Sequence, residues 1–292
     1  MKRITLATTL LLLAWPGASS AQEAMTVEEF EASLAYEVGV VVLGSGLATL
    51  EVPEEFRFLP PEDARRLLVD GWGNPPMDAP LGIIVPAAVS PMSAEGWAVV
   101  ITFEEDGYVE DDEAESLNYT EMLVDMQAST RAESEARAAE GYESIELVGW
   151  AAPPHYDAST HKLYWAQELR FGEAEDHTLN YNIRVLGRRG VLVMNAVASM
   201  AMLNAVESDM RSVMAFVEFN EGHSYTDFVP GVDKVAAYGI GALVAGKVAA
   251  KAGLFKLLLA GLIAGKKFVV VGIVAIGAFL KNLLGRKPAT PQ

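Results

Sequence analysis

The 292-residue chain has no cysteine. That absence excludes disulfides, thiolate catalysis, Cys-ligated zinc, iron–sulfur clusters and a lipoprotein anchor on an acylated cysteine. The chain also lacks HExxH, GxSxG and a complete P-loop, GxxxxGK followed by Ser or Thr, so the common signatures of metalloprotease, serine-hydrolase and nucleotide chemistry are missing. Basic charge is scarce, with 22 Lys and Arg against 39 Asp and Glu for a net −17. This argues against nucleic acid held in a basic groove. No internal repeat or low-complexity linker occurs. Apolar residues make up 51 %, enough to bury a core and too many for general disorder.

The charge is unevenly distributed. Residues 1–21 carry +2, residues 22–230 carry −27, and residues 231–292 carry +8. The basic residue type also switches, from ten Arg and Lys162 alone in the middle to eight Lys and Arg286 alone in the tail. Three segments with different surroundings are expected.

Residues 1–21 read as a secretory signal peptide. Lys2 and Arg3 precede the apolar run Ile4 to Ala14, Pro16 and Gly17 break the helix, and Ser19-Ser20-Ala21 offers small residues for cleavage. Residues 22–230 then form an exported acidic domain. In the tail, Phe268 to Leu284 is apolar up to Lys281, lies between Lys266-Lys267 and Arg286-Lys287, and just reaches the length of a bilayer span. A transmembrane helix over 267–285 is expected, followed by a basic, proline-containing tail over 286–292.

Residues 231–266 form a Gly/Ala/Lys-rich stretch read as an amphipathic or membrane-embedded helix. Small residues recur every four positions at Ala237, Gly241, Ala245, Ala249 and Gly253, the spacing that lets helices pack closely in lipid. Lys247, Lys251, Lys256, Lys266 and Lys267 are the expected membrane-interface residues. Two topologies remain open: a single span with an interfacial arm, or a hairpin of two spans. Both place the protein at a bacterial inner membrane, anchored at its C-terminus, with the main domain in the periplasm.

Within the exported segment, the periodicity predicts an α+β domain with a mainly antiparallel sheet flanked by helices. Val38–Leu43 and Ala48–Val52 flank the turn Gly44-Ser45-Gly46, Pro61 opens a short helix, and Leu81–Val85 and Trp97–Phe103 are β-rich. Asn118 to Glu140 is the clearest helix, with Gly141 as its stop. Four strand-like runs follow, Ile145–Trp150, Lys162–Phe171, Leu179–Leu186 and Val191–Ala198, separated by Pro153-Pro154, Gly172 and Gly187-Arg188-Arg189-Gly190. Their short connections predict an antiparallel meander. A second helix spans about Leu203 to Phe216.

The strings Leu147-Val148-Gly149-Trp150-Ala151-Ala152-Pro153-Pro154-His155-Tyr156-Asp157, Gly71-Trp72-Gly73-Asn74-Pro75-Pro76 and Glu104-Glu105-Asp106-Gly107-Tyr108 resemble the DUF2167 family of bacterial membrane-anchored proteins. Leu179 to Gly190, Glu218-Phe219-Asn220-Glu221-Gly222, Asp233 to Gly239 and Gly246 to Lys251 extend the likeness into the tail. The resemblance implies a signal, an exported domain and an anchor, and it carries no activity. The helix-then-meander order is also similar to small α+β domains of the PsbP/Mog1 kind.

Several constellations invite chemistry. His155, Asp157 and His161 lie within seven residues and could serve as base, orienter or metal ligands of a hydrolase. Asp157 before Ser159 and Thr160 equally suits an Asx-type turn. Glu221, His223 and Asp227 form a second group, whose plain reading is a solvated juncture. The acidic run Glu104 to Glu113 lacks the alternating ligand spacing of a calcium loop, and Asp111 and Asp112 suit a helix start. No metal and no cofactor is therefore expected. Trp72 and Tyr156, beside proline pairs, and Arg188 and Arg189, in a hairpin turn, are candidate interaction residues.

The combined expectation is a membrane-anchored envelope protein with a non-enzymatic interaction or scaffold module. Its partners would be the bilayer at its C-terminus and a protein, or a second copy through the glycine ladder, with no nucleic acid. Two alternatives stand beside it: an envelope hydrolase or ligand-binding protein using His155, Asp157 and His161, and a membrane-stress or remodelling factor acting through the Lys-bearing helix 235–264.

Overall fold

The computed structural model describes residues 25–74, 76–139 and 143–246. The expected signal peptide, Gly141, Ala249, Gly253, the lysines from Lys247 onward and the expected transmembrane helix lie outside the described residues. Among the described residues, no helix is long and apolar enough to cross a membrane.

Two antiparallel sheets form the body. A three-stranded sheet has the order β1 (Gly39–Leu43), β2 (Ala48–Val52), β10 (Val217–Phe219). A seven-stranded sheet has the order β3 (Phe56–Leu59), β4 (Gly82–Pro86), β5 (Ala98–Glu104), β9 (Val191–Ser199), β8 (Thr178–Leu186), β7 (Lys162–Phe171), β6 (Ile145–Asp157). The expected meander is its second half, with each of β6 to β9 pairing with the next. Helices are α1 (Val27–Ala32), α2 (Pro61–Arg66), α3 (Tyr119–Ala139), α4 (Leu203–Ala215) and α5 (Ile240–Ala245).

Both faces of the large sheet are covered, which explains the unbroken apolar runs of its central strands. Strand side chains alternate between faces. On one face Val99, Ile101, Leu192, Met194, Tyr181 and Ile183 pack against Val41, Leu43 and Leu50 of the small sheet and Val206, Met210 and Val213 of α4. On the other, Ala98, Val100 and Val197 meet Leu67, Leu68 and Trp72, while Val191, Val193, Leu163 and Trp165 meet Ile240, Leu243 and Val244 of α5. Leu123 and Met126 of α3 help roof this second face.

Several local expectations are corrected. Pro153 and Pro154 do not end a strand: β6 runs on to Asp157, absorbing irregularity at three register shifts. This edge position tolerates proline because no further strand needs its N–H. Asp111 and Asp112 stand before a short 3-10 helix over Ala114–Ser116, with Ala114 N donating to Asp111 O at 3.0 Å, and α3 has its own start, where Asn118 Oδ1 accepts the N–H of Thr120 at 3.2 Å. Residues 235–239 are not helical, so Ala237 lies outside any helix. The helix over 240–245 closes on Gly246 in the left-handed region (φ +75), so the described part of the glycine ladder is not one continuous helix. Finally, the packed body does not stop at Pro230 but continues through α5.

Candidate functional site

The acidic run 104–113 and the segment 231–246 form one structure. Tyr108 N donates to Lys234 O and Ala236 N donates to Tyr108 O, each at 2.8 Å, so Val235 lies parallel beside Tyr108. Ile240 N donates to Glu110 O at 3.0 Å. Such close approach requires glycine at 107, whose φ is +114 and where a Cβ would fall 2.7 Å from Lys234 O.

Side chains complete the clasp. Asp106 Oδ2 accepts the Tyr238 hydroxyl at 2.9 Å, and Glu113 Oε1 accepts Gly241 N at 3.0 Å. Asp111 accepts two phenols, Tyr156 at 2.5 Å and Tyr225 at 3.0 Å. Burial, reinforced by these carboxylates, pushes the Tyr156, Tyr225 and Tyr238 phenols well above their ordinary range. They therefore remain neutral donors, and three carboxylates of the crowded acidic run, Asp106, Asp111 and Glu113, each gain a donor. On the far side Arg188 forks onto Asp233, with Nε at 2.8 Å and Nη2 at 3.0 Å. That pairing holds the Asp233 carboxyl below the usual range. Arg188, expected as an interaction residue, is thus engaged in an internal ion pair. Arg189 is exposed, and its Nη2 lies 3.4 Å from His223 Nδ1.

His161 sits at the margin of the clasp in the left-handed region (φ +51). Its Nδ1 lies 3.1 Å from the Tyr156 hydroxyl, and its ring is 4.2 Å from that of Tyr225. The Tyr156 hydroxyl has one proton, which goes to Asp111; its oxygen is then left to accept from His161 Nδ1–H. His161 also borders a groove of about 240 Å³ with Lys162 and Ser224. Lys162 spends its ammonium on Met214 O at 2.6 Å, and burial lowers its pKa.

The other members of the candidate triad go elsewhere. His155 is exposed, its ring 5.2 Å from Tyr164. Asp157 accepts Ser159 N at 2.9 Å, Ser159 Oγ at 2.6 Å and Thr160 Oγ1 at 2.9 Å. Those bonds pull its carboxyl down to about 2, and they are the Asx-type turn. The hydrolase constellation is not assembled, and no group of three His, Asp or Glu could hold a metal ion among the described residues. Asp227 likewise caps a turn, accepting Gly222 N at 2.9 Å and Ser224 N at 3.0 Å, while Glu221 is exposed.

Trp72 is corrected as an interaction residue. It is 2 % exposed, and its indole N–H donates to Pro91 O at 3.1 Å; the surrounding breakers let a buried aromatic plug the core. Tyr156 is half-buried within the clasp.

A buried polar band crosses the middle of the large sheet. Asn180, Asn182 and Arg184 alternate along β8, with Asn195 opposite on β9. Arg184 Nη1 donates to Asn195 Oδ1 at 3.1 Å and to Ile183 O at 2.9 Å, and its guanidinium lies 4.9 Å from the Trp165 ring. Complete burial lowers its pKa to about 10, opposed by the charge of Glu104. Glu104 is in turn raised by burial. Sequence reasoning missed this band, although polar residues at every second position of an apolar strand are a legible signal. It also missed Asp106, Asp111, Glu113, Tyr225 and Tyr238, whose partners stand more than a hundred residues apart.

These features define a class: an antiparallel α+β domain with an acidic clasp that docks the segment leading to its basic, apolar tail. The chain belongs to the DUF2167 family, whose model, described as a protein of unknown function, matches residues 35–277. Comparison with curated proteins gives no match. Among solved structures, the chain is similar to cyanobacterial PsbP (CyanoP) from Synechocystis sp. PCC 6803 at 11 % identity, covering 62 % of this chain and 91 % of that one, with a TM-score of 0.34. A mutant of the protein Mog1 is similar at 11 % identity, 63 % and 96 % coverage and a TM-score of 0.33.

Proposed function

We propose that this chain is a C-terminally membrane-anchored envelope protein whose periplasmic domain is a non-enzymatic interaction module. The observation that carries the reading is the clasp: the first residues of the basic segment, 231–246, are bound to the acidic domain by backbone pairing, the carboxylates of Asp106 and Glu113 and the Arg188–Asp233 fork. A domain coupled in this way fixes the path of its own chain as far as Gly246, from where the basic, apolar stretch leads to the expected anchor. The signal-like N-terminus, the apolar run Phe268 to Leu284 and the charge partition support the same arrangement.

The test has two parts. Alkaline extraction of membranes and protease digestion of spheroplasts should find the full chain in the membrane with its domain digested only after the outer membrane is opened. In-cell cross-linking should then recover defined protein partners with the full chain, compared with a form ending at Gly246. A full chain released by alkali ends the anchored reading. A domain resistant to protease in spheroplasts ends the periplasmic one. The absence of any cross-linked partner ends the interaction reading.

A further inference from the structure

We propose that the outer edge of β1 receives an extended, basic and apolar segment of a partner protein, which adds a strand to the small sheet. The inference rests on the interaction-module reading and names the partner chemistry. It begins with how the sheet edges differ. The β6 edge is guarded by three register shifts, by Pro153 and Pro154, and by Gln127 Nε2, which donates to Val148 O at 3.0 Å. The β3 edge is partly occupied, because Phe58 exchanges two backbone bonds of 2.8 Å with Glu37. The opposite edge of the small sheet, β10, is three residues long.

β1 has none of these guards. It is five residues long, pairs in unbroken register with β2 alone among the described strands, and contains neither proline nor charge. Its inward residues, Val41 and Leu43, are core. Its outward ones are Val40 and Val42, continued by Val38, at 72 %, 59 % and 61 % exposure. A free, regular strand edge with β-branched residues on its open face is the geometry of strand addition: main-chain bonds supply affinity, and alternate side chains supply selectivity.

Charge selects the occupant. From residue 22 to residue 56 the sequence has eight glutamates and no Lys or Arg. Glu51 lies opposite Val40 in the register, and Glu37 immediately precedes the valine row. A second copy paired edge to edge would bring like-charged hairpins together, which costs stability. An anionic lipid surface is disfavoured for the same reason. A strand alternating apolar residues with Lys or Arg would cover the valines and meet the glutamates.

The experiment uses the full chain in detergent micelles, with a short peptide of alternating Lys and Val as the basic probe and its Glu-Val counterpart as the control. Val40→Lys/Val42→Lys blocks the edge while changing only exposed side chains; Val124→Lys on α3, 61 % exposed, controls for added charge. The basic peptide should slow hydrogen exchange of β1 amides and bind at least about tenfold more tightly than the acidic one, with the edge variant losing about the same factor. Equal binding of both peptides, or protection elsewhere than β1, overturns the proposal. Slow exchange, without peptide, of the β1 amides that point away from β2 overturns it as well, since the chain's own segment or a second copy then fills the edge; the mass of the edge variant tells which. In cells, partners cross-linked equally to the parent and the edge variant overturn the β1 site while sparing the interaction reading.

Discussion

Glu113 accepts the backbone N–H of Gly241 at 3.0 Å, and a Cβ at 241 would stand 2.9 Å from Leu117 Cδ2. Gly241 was one rung of a spacing expected to pack helices together in lipid; here it packs a six-residue helix onto its own domain. Gly241→Leu should therefore destabilise the domain by about 1–3 kcal/mol through overpacking. Denaturant unfolding of the full chain measures this, and an unchanged midpoint would mean that α5 is loosely seated.

The two phenols on Asp111 give a second test. Tyr225→Phe and Tyr156→Phe should each cost about 1 kcal/mol, the net worth of a hydrogen bond. Because both act on one carboxylate, their effects should be strongly non-additive with Asp111→Asn. Simple additivity in the double-mutant cycles would separate the phenols from the carboxylate.

Arg184 is fully enclosed between β8, β9 and Trp165. Arg184→Ala should cost about 3 kcal/mol, because it empties volume and strands the Asn195 oxygen and the partly buried Glu104 charge. A loss below about 1 kcal/mol would show the band to be solvated in the folded state.

Asp157 governs part of the acid limb. Its carboxyl titrates near 2 in the folded protein, below the ordinary aspartate value of 3.8, because Ser159 and Thr160 hydrogen-bond its charged form. A lowered folded value contributes stability that is present above the ordinary value and lost as pH falls toward about 2. Asp157→Asn should lower stability at neutral pH and flatten that limb. Parallel pH profiles of parent and variant would rule out this role.

Catalysis can be tested directly at the histidines. His155→Ala should leave folding and partner capture unchanged, since its ring meets only Tyr164 among the described contacts. Loss of a cellular function with partners and folding intact would revive the hydrolase alternative.

What could be read from the sequence was local. Lys162–Phe171 is a strand with the expected bounds, and the β1–β2 turn shows its glycine signature in the positive φ of Gly44, Ser45 and Gly46. Short turns also placed β6 to β9 next to one another. The strand β3 was missed because four residues between Glu55 and Pro60 give too short a period. The capping box that opens α1, Thr26 with Glu29, was present but unread. The clasp was illegible for a different reason: an acidic run looks the same whether solvated or paired, and only the fold brings Tyr225 and Tyr238 to it. Trp72 failed similarly, since glycines and prolines around it signal a turn without saying which way the indole points.

The pairing of β2 with β10 joins residues near 50 to residues near 217, and the clasp joins residues near 108 to residues near 235. A ribosome must therefore deliver nearly the whole described body before either closure can form. Such long-range closure slows folding, and a chain cut short before residue 217 would leave β2 unpaired along a flank that is buried in the finished molecule. Quality-control proteases would meet an open hydrophobic seam, so incomplete products should be cleared while complete ones persist.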